Sequence, residues 1–159
     1  MTLVIRPGVR ADVPLIAELI RGLARYEKLE HEVTMTEERL AANLFGPHHY
    51  AETLIAEAEG SPVGFALFFH NFSTFLAQPG IYLEDLFVVP EHRARGIGRA
   101  LLKELARLAV ERECGRLEWS VLDWNREAIG FYERLGARPN SEWTVYRLTG
   151  EALSALGRE

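Results

Sequence analysis

An apolar run from Tyr82 to Val89 is interrupted by two adjacent acids, Glu84 and Asp85. Charged side chains inside such a run are costly unless they are paired or used: Glu84 is the candidate base, and the alternative is a pair of structural acids bonded to arginine or backbone N–H, a reading that weighs more for Asp85. By strict strand alternation Glu84, Leu86 and Val88 share one face, and Leu83, Asp85 and Phe87 share the other. The two acids would then have different surroundings and different jobs. Just downstream stands Arg93-Ala94-Arg95-Gly96-Ile97-Gly98-Arg99, followed by a helical pattern. A strand, a glycine-bearing turn and a helix start form an anion site. The first helical N–H groups have no intrahelical acceptor, and the helix dipole adds positive charge there. Gly96 and Gly98 keep side chains out of the way of an approaching oxygen. Arg93, Arg95 and Arg99 add full charge. The arrangement suits a pyrophosphate without choosing among nucleotides. The Gly-x-x-x-x-Gly-Lys-Ser/Thr loop and the full Gly-x-Gly-x-x-Gly fingerprint are both absent.

The elements that must hold these groups follow from periodicity and punctuation. Leu3–Arg6 reads as a strand. Asp12 is placed to N-cap a helix whose buried stripe is Leu15, Ile16, Leu19, Ile20 and Leu23. Thr34-Met35-Thr36-Glu37 has capping-box spacing for a second helix through Leu44, stopped by Gly46-Pro47. Tyr50–Glu57 and Val63–Phe69 read as strands joined by a turn at Glu59-Gly60-Ser61-Pro62. After the Tyr82–Val89 strand, Gly98–Glu113 is a helix with Leu101, Leu102, Leu105, Leu108 and Ala109 inward, closed by Cys114-Gly115. Arg116–Leu122 reads as a strand. Asn125–Leu135 reads as a helix with Gly136 as its left-handed cap. Trp143–Leu148 reads as a last strand and Glu151–Leu156 as a short helix. A hairpin followed by alternating strands and helices predicts an α/β domain, residues 1–159, whose mixed sheet has helices on both faces.

Bulk properties narrow the chemistry. The chain of 159 residues carries a net charge of −5, which argues against a nucleic-acid partner and suits a cationic small molecule. No apolar run reaches the ~20 residues of a membrane span. The N-terminus reads as a strand and not as a leader, and Cys114 has no second cysteine to pair with, so the expected location is cytoplasmic. The histidines are scattered without zinc-ligand spacing, so no metal is expected. They read as surface or loop residues, and Cys114 as a packed thiol.

Arg93-x-x-Gly96-x-Gly98, preceded by Leu86-Phe87-Val88-Val89-Pro90, resembles the coenzyme A motif of the GNAT acetyltransferase superfamily. Trp124-Asn125-x-x-Ala128-x-x-Phe131-Tyr132-x-x-x-Gly136-Ala137 resembles its second cofactor motif. Ile5-Arg6-Pro7, Leu23-Ala24-Arg25-Tyr26-Glu27, Val63-Gly64-Phe65-Ala66 and Tyr82-Leu83-Glu84-Asp85-Leu86-Phe87-Val88 resemble the spermidine/spermine branch, which includes enzymes acting on diamines and thialysine. The resemblance implies a mostly antiparallel mixed sheet splayed around acetyl-CoA, and a homodimer. It implies transfer of the acetyl group to a primary amine of a polyamine, diamine or thialysine-like substrate, directly in a ternary complex. The alternative on the same fold is a non-catalytic acyl-CoA-binding or sensing module, against which Glu84 and Tyr132 argue. The backbone of Leu86, Phe87 and Val88 would meet the pantetheine, the turn Arg93, Ala94, Arg95, Gly96, Ile97, Gly98 and Arg99 the pyrophosphate, and Asn125 and Ala128 the cofactor from the next helix. Tyr132 would be the general acid, since a phenol (pKa ~10) can give a proton to a departing thiolate (~8.5). Glu84 would contact substrate and remove its proton. Tyr26 and Glu27 would line the amine pocket.

Overall fold

The computed structural model describes residues 1–159. Their contacts group into two units, Met1–Ser120 and Val121–Glu159. The first contains β1 (Leu3–Pro7), α1 (Val13–Tyr26), α2 (Glu37–Phe45), β2 (Glu52–Ala58), β3 (Ser61–Ser73), β4 (Gln78–Val88), α3 (Ile97–Glu111) and β5 (Leu117–Trp119). The strands lie in the order β1-β2-β3-β4-β5, antiparallel except for the parallel pair β4–β5. The mixed, mostly antiparallel sheet anticipated from the sequence is therefore present. β3 and β4 run further than their apolar runs suggest, because the hairpin turns only between Ser73 and Gln78.

One face of the sheet is covered by α1 and α2. Ile16, Leu19 and Leu23 of α1 and Leu44 of α2 pack with Ile55, Phe65 and Phe87. On the other face α3 buries Ile97, Leu101, Leu102, Leu105 and Ala109, while Leu108 is only half-buried. Arg112, just past α3, lies over the Phe68 ring at 5.9 Å. Its guanidinium forks onto Glu52 at 2.8 and 3.0 Å. It also donates to His70 Nε2 at 3.0 Å, while His70 Nδ1 bonds the Gly80 carbonyl at 3.0 Å. His70 is thus a strand residue built into the packing of α3, not a loop histidine.

Several local expectations change for identifiable reasons. Asp12 precedes α1 but does not cap it. Its carboxylate accepts from both Arg6 terminal nitrogens, at 2.8 and 3.0 Å, and from the Val9 N–H at 2.8 Å, and Arg6 holds it below the ordinary carboxylate range. The cap of α2 is Thr36, which accepts from the Arg39 N–H at 3.2 Å, so the capping threonine is the second of the two available and not Thr34. Helix α3 stops before Cys114-Gly115. Glu113 takes φ 57°, and Glu113 and Cys114 N–H groups close back on Val110 and Ala109. α1 ends the same way through Lys28 at φ 62°, with Lys28 and Leu29 bonded to Arg25 and Ala24. Non-glycine residues carry out a left-handed stop at both ends. The expected strand Arg116–Leu122 shortens to Leu117–Trp119.

The second unit holds α4 (Arg126–Arg134) and α5 (Gly150–Gly157). α4 ends as anticipated at Gly136, φ 93°, with Gly136 and Ala137 N–H bonded to Glu133 and Tyr132. Trp143–Leu148 forms no strand, and Trp143, Val145 and Tyr146 are 77%, 84% and 94% exposed. Alternation gave that segment strand character, but a strand also needs a ladder partner, and within this unit it has none.

Gly22 sets how closely α1 approaches the sheet. A Cβ there would lie 2.9 Å from the buried Phe87 ring. Gly22→Ala gains about 1 kcal/mol of helix propensity but overpacks a filled site, which costs about 1–3 kcal/mol. The expected outcome in urea unfolding is a lower midpoint with unchanged slope.

Candidate active site

The turn leading into α3 is built from unusual backbone. Ala94 takes φ 63° and Gly96, the residue before α3, takes φ 79° and ψ 9°. No side chain caps the helix, and its first bond runs from the Ala100 N–H to the Gly96 carbonyl at 3.0 Å. The Ile97, Gly98 and Arg99 amides therefore precede the helical ladder. A Cβ on Gly98 would meet nothing within 4 Å, so the packing of the chain itself does not require glycine there. The absence of a side chain leaves the turn amides open to an approaching oxygen. Ile97 is buried and anchors the turn, while Ala94, Arg95 and Arg99 are exposed. These features fit a pyrophosphate held by backbone amides. Arg93 behaves differently. Its Nε donates to the Val88 carbonyl at 2.9 Å, and its guanidinium lies 4.6 Å from the Tyr26 ring centre and 5.4 Å from that of Phe87.

β4 leaves one edge open. It pairs with β5 only at Ile81, Tyr82 and Leu83, whereas its pairing with β3 continues through Leu86, Phe87 and Val88. The Val89 N–H bonds the Val63 carbonyl at 2.8 Å on the β3 side. Backbone direction alternates along a strand, so Leu86 presents its N–H and C=O groups, and Val88 its N–H, to the opposite, open edge, where the Val88 carbonyl is taken by Arg93. Phe87 points its own backbone to β3, and its side chain is buried under α1.

Glu84 is an extra residue in the ladder. Leu67 pairs with Asp85 and the next residue, Phe68, pairs with Leu83, so Glu84 is bulged out. The bulge overturns the strict alternation expected here. Leu83 lies opposite Phe68 on the α3 face, while Asp85 and Phe87 lie opposite Leu67 and Phe65 on the α1 face. Glu84 is exposed and Asp85 is partly buried behind it. Burial, then the charges of Glu84 and Glu27, push the Asp85 carboxyl from 3.8 up to about 7. Burial, then Glu84, also raises Glu27, which follows the last residue of α1, Tyr26. Burial and neighbouring acids are what act on Glu27 and Asp85. Glu27 and Glu84 are thus within electrostatic reach of each other, and Tyr26 adjoins Glu27 at the end of α1. Asp85 joins them, a residue that sequence reasoning left as a structural acid because the bulge was not visible. The adjacent acids in an apolar strand were the available signal.

On α4 Asn125 is buried, and its side-chain oxygen accepts from the Ala128 N–H at 3.2 Å, which starts the helix. Tyr132 is half-buried one step beyond Phe131, their ring centres 5.5 Å apart. No group of histidine, cysteine and acidic side chains is assembled to hold a metal ion.

Known proteins resemble the chain over nearly its whole length. It is 39% identical to the thialysine N-epsilon-acetyltransferase of Sus scrofa, over 98% of this chain and 97% of that protein. It is 34% identical to the L-ornithine N5-acetyltransferase of Arabidopsis thaliana, over 97% of this chain and 87% of that protein. A solved integron cassette protein from the mobile metagenome of V. cholerae superposes with a TM-score of 0.83 at 29% identity, covering 100% of this chain and 99% of that one. The pattern of the acetyltransferase (GNAT) family matches residues 16–137, across both units. The chain therefore belongs to the acetyltransferase (GNAT) family, in its diamine and thialysine branch, and is an N-acetyltransferase.

Proposed function

We propose that the enzyme acetylates a primary amine of a small cationic substrate, a diamine, polyamine or thialysine-like molecule, using acetyl-CoA. The observation that carries this reading is the group Glu27, Glu84 and Asp85, gathered closely enough to raise the Glu27 and Asp85 carboxyls, next to Tyr26 at the end of α1. The relatives' names point to amines of the same kind. The whole of residues 1–159 acts as one domain in this reading, for which the family match across both units is the support. A homodimer suits the exposed apolar residues of 143–148. A cytoplasmic location suits the lone Cys114.

The donor supplies the acetyl group as a thioester. The turn from Ala94 to Arg99 receives its pyrophosphate, and the open-edge backbone of Leu86 and Val88 receives its pantetheine. Asn125 and Ala128 support it from α4. An ammonium has no lone pair, so the substrate must lose a proton before its nitrogen attacks the carbonyl carbon. Glu84, exposed at the bulge, meets the cation. Asp85 behind it, its carboxyl raised to about 7, takes the proton. A backbone N–H near Leu86 polarises the carbonyl as it gains negative charge. Tyr132 gives a proton to the sulfur as the C–S bond breaks. The transfer is direct, without a covalent enzyme intermediate.

A panel of diamines, polyamines, ornithine and thialysine, assayed by thiol release from acetyl-CoA, tests the substrate class. Turnover on at least one member is expected, and none on any of them removes the assignment. Tyr132→Phe should lower kcat by ~10²-fold while acetyl-CoA affinity stays within threefold. An unchanged kcat excludes Tyr132 as the acid.

The Asp85 carboxyl must be ionised to take a proton. With its pKa raised to about 7, kcat/KM should climb as pH rises through neutrality, and Asp85→Asn should lose that limb. Stability provides an independent check. A carboxyl raised in the folded state binds protons more tightly than in the unfolded chain, so its contribution falls as pH rises from about 4 to about 7. Asp85→Asn should therefore gain stability relative to the parent at pH 8 compared with pH 4. Parallel stability curves would place the neutral titration elsewhere.

A further inference from the structure

Arg93 opens the turn assigned to the phosphate, yet its side chain leaves that turn. It reaches back to bond the Val88 carbonyl at 2.9 Å and to lie over Tyr26 and Phe87, at 4.6 and 5.4 Å. Three segments meet at this one guanidinium: the end of β4, the last residue of α1, and the start of the turn. The backbone on either side is fixed as well. Arg93 N–H bonds the Pro90 carbonyl at 3.3 Å, and Ala94 follows at φ 63°. α1 is stopped by the left-handed Lys28. Tyr26 immediately precedes Glu27, whose carboxyl responds to Glu84. The exposed Arg95 and Arg99 remain to supply side-chain charge to a phosphate.

We propose that Arg93 is a positioning residue for the amine side of the site, a strut that holds Tyr26 and thereby Glu27 against the end of β4. A guanidinium stacked on one ring, near a second and bonded to a carbonyl is already committed in its orientation. Planarity is what the position uses, so lysine would keep the charge and lose the stack. The inference rests on the reading that Tyr26 and Glu27 line the amine pocket.

Arg93→Lys tests it. Amine KM should rise about tenfold, while the acetyl-CoA Kd measured by calorimetry stays within threefold at low and high salt. In a Tyr26→Leu background the same substitution should change amine KM less than twofold, because the contact it breaks is already gone. A tenfold weaker, salt-dependent acetyl-CoA affinity with amine KM unchanged would make Arg93 a phosphate ligand and overturn the strut. Additive effects of the two substitutions would overturn it too. If the parent enzyme acetylates no amine, the reading of the pocket fails, and urea unfolding of the same four proteins then measures the Arg93–Tyr26 coupling alone. A coupling indistinguishable from zero there removes the strut on its own evidence.

Discussion

Between the pairs Leu67–Asp85 and Phe68–Leu83, β4 carries one residue for which β3 has no counterpart. An unpaired residue in a ladder twists the strand and shifts every later side chain by one position. The consequences spread from there. Before the bulge, Leu83 packs on the α3 side; after it, Asp85 and Phe87 turn toward α1. Phe87 then fills the core beneath Gly22, which lets α1 lie close enough for its C-terminal end to stand beside β4. Asp85, two residues before Phe87 on the same face, is carried into electrostatic range of Glu27. β5 parts from β4 at Leu83, immediately before the bulge. One inserted residue therefore accounts for both the acid group and the open strand edge.

Three carboxyl groups near one another oppose folding electrostatically. Several of the chain's arginines are committed to other acids. Arg6 is bound to Asp12 and Glu57, Arg112 to Glu52, and Arg107 to Glu104 and Glu111. Arg93 comes near the site but lies on Tyr26 and Phe87. Burial first, and then that repulsion, raise the carboxyls of Asp85 and Glu27. A cationic ligand relieves the repulsion on binding. Burial and repulsion together make the Asp85 carboxyl basic enough to accept a proton near neutrality, where an ordinary aspartate would be too weak a base.

The features legible in the sequence were those encoded by residue type at a fixed position. Gly96 and Gly98 before an apolar helical stripe announced the turn and α3, and Gly136 announced the end of α4. Adjacent acids in an apolar run marked the strand that carries the acid group. What stayed hidden depends on context. Lys28 and Glu113 perform the same helix stop as Gly136, but neither residue type favours a left-handed backbone, so tertiary packing and not propensity placed them there. Asp12 had the type of a helix cap, but Arg6 and the Val9 amide compete for its oxygens and win. The bulge leaves no trace in composition, because Glu84 is polar in either register. Only the pairing of Leu67 and Phe68 reveals it. Trp143–Leu148 had the alternation of a strand but no partner within its unit, which alternation alone cannot supply.

A β-strand offers two kinds of recognition at right angles: backbone groups along its edges and side chains on its faces. β4 separates them by residue. Leu86 and Val88 turn their backbone to the open edge, whereas Asp85 and Phe87 turn their side chains to the α1 face. On the proposed reading the donor is held by the edge and the acceptor by the face, so neither has to displace the other. The edge is blind to side-chain identity, which suits a donor that is the same for every substrate. The face is composed of side chains, and those can change without disturbing the ladder that holds the strand. Divergence of amine preference among relatives of this fold requires only substitutions on that face and at the end of α1, around Tyr26 and Glu27. The turn from Ala94 to Arg99 is built from backbone, from φ values of 63° and 79°, and from the absence of a Cβ at Gly98. It has no such freedom, because each of its contacts to a phosphate would depend on a conformation and not on a replaceable side chain.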